Sequence, residues 1–144
     1  MAITAHREYE TVGPIERLKG VIAASAVFYK GALVVINGGY FNVPTDAANL
    51  VPVGVFDGGG MDVATDPLKL TAPSSGMPEV TVTHGKIWLP FSGAAQTDVG
   101  LLFFLADNGT VTKTAGSKTW KVPCIGFKTG YVLLDFTKLL GAAA

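Results

Sequence analysis

Residues 27–56, VFYKGALVVINGGYFNVPTDAANLVPVGVF, decide the fold class of this chain. Apolar and β-branched residues form short runs at 27–29 and 33–36, which is typical of strands. Residues 37–39, Asn-Gly-Gly, accept a positive φ and so favour a tight turn. Extended structure then resumes at 40–43. The stretch therefore predicts a β-hairpin.

The second part of this stretch predicts a helical turn between two extended segments. Thr45 or Asp46 can accept hydrogen bonds from free backbone N–H groups, so residues 45–50 are expected to form a capped helical turn. Residues 51–56, VPVGVF, resume a strand.

Further strand and turn patterns follow along the chain. Residues 79–83 alternate with period two, His84-Gly85 can turn, and residues 86–91 resume, which predicts a second hairpin. Turns are also expected at 107–109, after the apolar run 101–105, and at 128–130, between strands at 120–127 and 131–136. About eight short strands bounded by such turns, with little helix, predict an all-β fold, either an antiparallel β-sandwich or a small β-barrel.

The first twenty residues differ from the rest of the chain. They are more charged, and Gly13-Pro14 interrupts them. We expect residues 1–20 to be an extended N-terminal arm and residues 21–144 to be a single β-rich domain. An N-terminal strand folded onto its own domain is the alternative.

The composition favours a subunit of an assembly. Apolar residues make up 49% of the chain and charged residues only 15%, against about 25% charged in a typical soluble domain. Such a chain has few charged side chains with which to cover its surface, so part of that surface is expected to be apolar. We therefore expect an oligomer or a docked subunit. A well-packed monomer with Thr, Ser and Asn on its surface is the alternative.

The charge balance and the apolar runs argue against nucleic-acid and membrane partners. Eleven basic and eleven acidic side chains cancel, which does not suit binding to phosphates. No apolar run approaches the roughly 20 residues that span a bilayer. The first residues alternate charges and lack the apolar core of a signal peptide, so we expect the protein to stay in the cytoplasm where it is made.

The sequence contains no recognisable catalytic set, and we expect no enzyme, no cofactor and no metal site. His6 and His84 are far apart in sequence, and we expect both to be surface residues. We expect Cys124 to be a small buried apolar residue rather than a reactive thiol. The glycine triplet at 58–60 lacks the spacing of a phosphate-binding loop. The nearby carboxylates do not match a calcium loop and read as solvated side chains: Asp57, Asp62 and Asp66.

Aromatic residues have two interpretations. Aromatic side chains in strand-period segments usually belong to a core or a subunit contact, but on an open sheet face they can stack on sugars. The residues concerned are Tyr29, Tyr40, Trp88, Phe91, Trp120 and Tyr131.

The sequence GALVVINGGY (31–40) followed by VPTDAANLVPVGV (43–55) resembles the small capsid decoration, or cement, proteins of tailed bacteriophages. The resemblance covers residues 21–56 most clearly and, less specifically, residues 122–136. It implies a β-rich subunit that binds the outside of the expanded capsid shell, commonly as a homotrimer, and stabilises it. The implied partners are the major capsid protein and further copies of the chain, and the implied location is the exterior of the virion.

The resemblance also implies a set of interface residues. The charged arm is expected to reach across the capsid surface, and aromatic residues of the hairpin region are expected to contact other subunits. The candidates are Arg7, Tyr9, Ile15, Leu18, Tyr29, Tyr40 and Phe41.

Two other functions fit the same sequence. Another virion part, such as a tail-tube or neck protein, would share the neutral charge and the lack of catalytic residues but would assemble as rings or tubes. A carbohydrate-binding β-sandwich module would instead expose coplanar aromatic side chains.

Overall fold

The computed structural model describes residues 3, 7–23, 26–57, 69–71 and 79–139. Over these residues the chain is all-β, as the sequence predicts, with one short 3-10 helix at Gln96–Asp98. The strands are β1 (Glu10–Val21), β2 (Val27–Tyr29), β3 (Leu33–Asn37), β4 (Tyr40–Asn42), β5 (Val51–Phe56), β6 (Lys69–Thr71), β7 (Glu79–Pro90), β8 (Leu102–Leu105), β9 (Val111–Thr112), β10 (Val122–Lys128) and β11 (Tyr131–Asp135).

Nine of these strands form one antiparallel sheet that curls into a half-barrel. Eight strands follow the order β4-β3-β5-β7-β11-β10-β8-β9, and β1 pairs with β7. Thr83 of β7 pairs with Arg17 of β1 and also with Val55 of β5, so β1 and β5 flank β7 on opposite edges. A parallel bridge between Ile22 and Phe41 then joins the end of β1 to β4. Strands β1, β7, β5, β3 and β4 therefore close into a ring at this end.

The predicted hairpins are confirmed where their turns are local. Strands β3 and β4 pair around Gly38 and Gly39, whose φ angles of +60° and +90° are those that a tight hairpin turn demands. Strands β8 and β9 pair across residues 106–110, where Asp107 accepts a hydrogen bond from the backbone N–H of Gly109 at 2.8 Å. Strands β10 and β11 pair across the Thr129-Gly130 turn.

Two local predictions are wrong because distant parts of the chain decide those structures. Residues 45–50 contain bends and a turn but no helix, and the Asp46 carboxylate accepts hydrogen bonds from Ser117 and Lys118 instead of capping a helix. His84-Gly85 is not a turn, because β7 runs straight through it from Glu79 to Pro90. The backbone groups of β7 are paired with β1 on one edge and with β5 and β11 on the other.

The N-terminal residues take part in the main sheet over the described range. Strand β1 pairs with β7 from Glu10↔Trp88 to Val21↔Glu79, with a shift in register between Val12 and Glu16. Of the two placements that the sequence allows for residues 1–20, Glu10–Val21 thus has that of a strand on its own domain.

Two apolar cores lie on opposite faces of the shared central strands. Side chains of β3 alternate between them, because Leu33 and Val35 belong to the first core and Val34 belongs to the second. The first core comprises Leu33, Val35, Val55, Ile87, Leu89, Phe103, Leu105, Val111, Val122, Cys124, Val132, Leu134 and Phe136. The second comprises Ile22, Phe28, Val34, Phe41, Val53, Phe56, Val80 and Val82.

Candidate interaction surfaces

The structure separates the seven predicted interface residues into exposed and inward-facing groups. Ile15 and Tyr40 are exposed, at 37% and 45%. Phe41 is only 4% exposed and packs in the second core, beside the half-buried Leu18. In the folded chain a partner would therefore meet Tyr40 rather than the ring of Phe41. The remaining three predicted residues are half-buried: Arg7, Tyr9 and Tyr29.

Exposed apolar side chains gather on β1 and at the start of β4. We call Val12, Ile15, Val21 and Tyr40 the apolar edge; they are between 36% and 45% exposed. Val21 and Tyr40 run side by side, because each precedes a member of the parallel Ile22↔Phe41 bridge. Sequence reasoning missed Val12 and Val21, which stand among charged residues. Recognition of β1 as a strand would have found them.

The chain before and at the start of β1 is held to the domain by polar contacts and by the half-buried Tyr9, which packs against the first core. We call Ile3 and residues 7–12 the N-terminal segment. The Arg7 guanidinium donates to the carbonyl oxygens of Gly109 at 2.8 Å and Gly31 at 3.1 Å, and the Arg7 backbone N–H donates to the Lys30 carbonyl at 2.9 Å. Burial lowers the pKa of Arg7, which still stays charged because an arginine does not lose its proton in proteins.

Two further contacts fix the same segment. Asn108 mimics a strand partner, since its side chain accepts from the Ile3 N–H at 2.8 Å and donates to the Ile3 carbonyl at 3.0 Å. The Tyr9 hydroxyl hydrogen-bonds Thr83 Oγ1 at 2.8 Å, and burial raises the pKa of Tyr9. The segment therefore lies against turns and strands that are distant in sequence.

A groove of about 390 Å³ lies between the N-terminal segment and the β10–β11 hairpin. Trp88 and Tyr131 line it, and the Lys128 ammonium lies 4.6 Å and 5.3 Å from their ring centroids. Lys128 also pairs with the Glu10 carboxylate at 2.9 Å. Each of these cation–π contacts occupies one face of its ring, which a stacked sugar could not then use.

A second group of exposed apolar side chains lies in the C-terminal half of the chain. Leu101, Ile125 and Tyr131 are between 40% and 43% exposed, much like the apolar edge. Two groups of exposed apolar side chains agree with the low charged fraction of the sequence.

Several titratable groups of the described residues make structural contacts. Cys124 is buried, as predicted, and burial raises the pKa of its thiol, which disfavours a reactive thiolate. A hydrogen bond from Lys113 lowers the pKa of Asp98, whose carboxylate also accepts from the Ala95 N–H. His84 is half-buried, with Nδ1 2.7 Å from the Val53 carbonyl.

The candidate loop sites are only partly within the described residues. Asp57 accepts from Thr81 Oγ1 at 2.6 Å and lies 3.9 Å from Arg17 Nε. His6, the glycine triplet, Asp62 and Asp66 lie outside the described residues. Across the part of the chain that the structure describes, no group of three or more His, Cys, Asp or Glu side chains could hold a metal ion.

Comparisons of this chain with protein families and with curated proteins give no match. Within the described ranges, no helix has the length and apolar character needed to cross a bilayer.

Proposed function

We propose that this chain is a structural virion protein that binds the outer surface of an expanded phage capsid and stabilises the shell. Its partners are the major capsid protein and further copies of itself in a homotrimer. The observation that carries the proposal is the apolar edge, which presents apolar side chains on an antiparallel sheet in a chain with no net charge. The resemblance of residues 21–56 to capsid decoration proteins supplies the identity of the shell.

The apolar edge has the composition of a protein-binding surface. Exposed charged side chains lie between Ile15 and Val21 on β1, at Glu16, Arg17 and Lys19, so the surface mixes apolar and charged groups. Interfaces between proteins combine apolar contacts with polar ones. Tyr40 adds a large aromatic group with a hydroxyl, a residue type that is enriched where binding energy concentrates.

Carbohydrate binding is less well supported by the groove at Trp88 and Tyr131. A sugar stacked on the ring face that Lys128 covers would have to displace the Lys128 ammonium, which is also paired with Glu10. Displacement would leave the Glu10 carboxylate without this cation. A structural role for Lys128, which contacts both rings and joins Glu10 of the N-terminal segment to the β10–β11 hairpin, is the simpler interpretation.

Co-sedimentation with capsid shells tests the proposal. Purified protein is mixed with unexpanded and with expanded shells of the cognate phage, and the bound copies per shell are counted. We expect saturable binding to expanded shells, at a number of copies per icosahedral asymmetric unit that is divisible by three. Absence of binding to either shell would overturn the proposal and favour a tail, neck or sugar-binding role.

A matched pair of variants tests whether the apolar edge makes the contact. Tyr40→Ser should weaken shell binding, because it removes the largest exposed side chain of the apolar edge. Ile125→Ser is the control, since Ile125 is 40% exposed but lies in the other apolar group. Equal loss of binding in both variants would contradict the assignment of the apolar edge.

A further inference from the structure

We propose that the N-terminal segment, Ile3 and residues 7–12, exchanges between copies of this chain and binds a second copy at the site it occupies on its own domain. The hinge is at residues 13–15. The partner is thus a second copy of this chain, and the receiving surface is the edge of β7 together with the turns at Lys30-Gly31 and Asn108-Gly109.

The hinge is visible as a break in the ladder between β1 and β7. Val12 pairs with Lys86 and Glu16 pairs with His84, so three residues of β1 face the single Gly85 of β7. Gly13 has a φ of +69° and an open space where a Cβ would lie. Residues 13–15 are all exposed. Pro14 and Ile15 lie close to Gly85, so redirecting the chain at this joint separates them from β7 but disturbs no fully buried side chain.

The contacts of the N-terminal segment can form equally well with a second copy. Its receiving groups are backbone carbonyls at Lys30, Gly31 and Gly109, the amide of Asn108 and the backbone of β7. Its own side chains are exposed or half-buried, and the half-buried Tyr9, which packs against the first core, would meet the same core in a second copy. Because a second copy offers the same hydrogen-bond partners as the segment's own domain, exchange costs mainly the entropy of association.

Exposed apolar side chains beside the hinge favour the exchanged form. Val12 is 38% exposed and Ile15 is 37% exposed when the segment binds its own domain. Exchange carries the hinge of one copy to the domain of another, where that copy can cover Val12 and Ile15, while Val21 and Tyr40 of the apolar edge stay available to the shell. The area that the single chain leaves open is therefore the area that exchange can cover.

Disulfide trapping between two singly substituted chains tests the exchange. One chain carries Val12→Cys and the other carries Lys86→Cys; these positions are directly opposite in the register, and such pairs are close enough for a disulfide. The two proteins are unfolded together in urea, refolded at increasing concentration and oxidised. We expect a linked Val12→Cys to Lys86→Cys peptide by mass spectrometry, in a yield that rises with protein concentration.

A second pair beyond the hinge is the matched control. Lys19→Cys and Thr81→Cys are also directly opposite, but they lie on the part of β1 that stays with its own domain. This pair should give no link between copies above the level of unsubstituted protein, in which Cys124 is buried. A link in both pairs would overturn the assigned hinge, and a link in neither would overturn the exchange.

The exchange and the proposed function are tested separately. Trapping uses purified chains without shells, whereas shell binding is counted by sedimentation. A protein that binds shells but gives no linked peptide would leave the proposed function standing and refute the exchange.

Discussion

The two parts of β1 lie on the same partner strand but are held by different forces. The N-terminal segment, which enters β1 at Glu10–Val12, is fixed by polar contacts with turns and with Lys128, and its Tyr9 packs at the margin of the first core. Residues 16–22, which we call the core-packed segment, place Leu18 and Ile22 in the second core and bring Gly20 against the ring of Phe41. One strand thus joins a part that packs in a core to a part that is held mostly at the surface.

The largest effect is expected where the core-packed segment meets Phe41. Phe41→Ala removes a nearly buried ring, and a cavity of this kind costs about 3–5 kcal/mol in the free energy of unfolding. Urea denaturation measures the change. The neighbouring Tyr40→Ala, at an exposed position, should cost no more than about 0.5 kcal/mol. Similar losses for the two variants would show that Phe41 does not anchor β1.

A smaller loss is expected when Gly20 gains a side chain. A Cβ at Gly20 would lie 2.6 Å from the Phe41 ring, so Gly20→Val must displace a packed side chain at a cost of about 1–3 kcal/mol. Lys19→Val is the control, because Lys19 is exposed on the same strand. The thermal midpoint of each variant provides the measurement. An unchanged midpoint for Gly20→Val would mean that this end of β1 is loosely packed.

Replacing Arg7, which makes the most hydrogen bonds in the N-terminal segment, should lower the free energy of unfolding less than the loss of the Phe41 ring does. Arg7→Met removes two hydrogen bonds from a charged donor, which we expect to lower the free energy of unfolding by about 1–2 kcal/mol. Lys19→Met should stay within about 0.5 kcal/mol, because Lys19 is exposed on the same strand. A loss for Arg7→Met as large as that for Phe41→Ala would remove the distinction between the two segments.

The smallest effect is expected at the ion pair between Glu10 and Lys128. Both side chains are well exposed, so the pair should contribute no more than about 1 kcal/mol and should weaken in high salt. A double-mutant cycle with Glu10→Gln and Lys128→Met isolates the coupling energy. A coupling that persists unchanged in high salt would contradict this view of the pair.

Local turn chemistry explains which parts of the fold could be predicted from sequence. The hairpin at Gly38-Gly39 depends on residues next to each other, and it was predictable for that reason. The pairing of β1 with β7 joins residues more than fifty positions apart, and no local signal specifies it. The expected helix at 45–50 fails for a similar reason, because Asp46 is bonded to Ser117.

The candidate surface was predictable only in part. Tyr40 and Phe41 are neighbours in a strand, so one must point outward and the other inward, but the sequence alone does not reveal which. Val12 and Val21 became visible as exposed residues only once β1 was placed at the side of β7. The contacts of Arg7 with distant carbonyls carry no sequence signature.

Hydrogen exchange across β1 measures most directly whether its two parts differ. Peptide-resolved deuterium uptake is followed at a dilution where the chain is monomeric, for residues 7–12 and for residues 16–22. We expect the amide protons of the N-terminal segment to be replaced by deuterium through local opening, well before those of the core-packed segment. The core-packed segment should be protected until the domain unfolds. Equal protection of the two segments would show that β1 opens as one unit. The proposal that the N-terminal segment swaps between copies would then lose its physical basis.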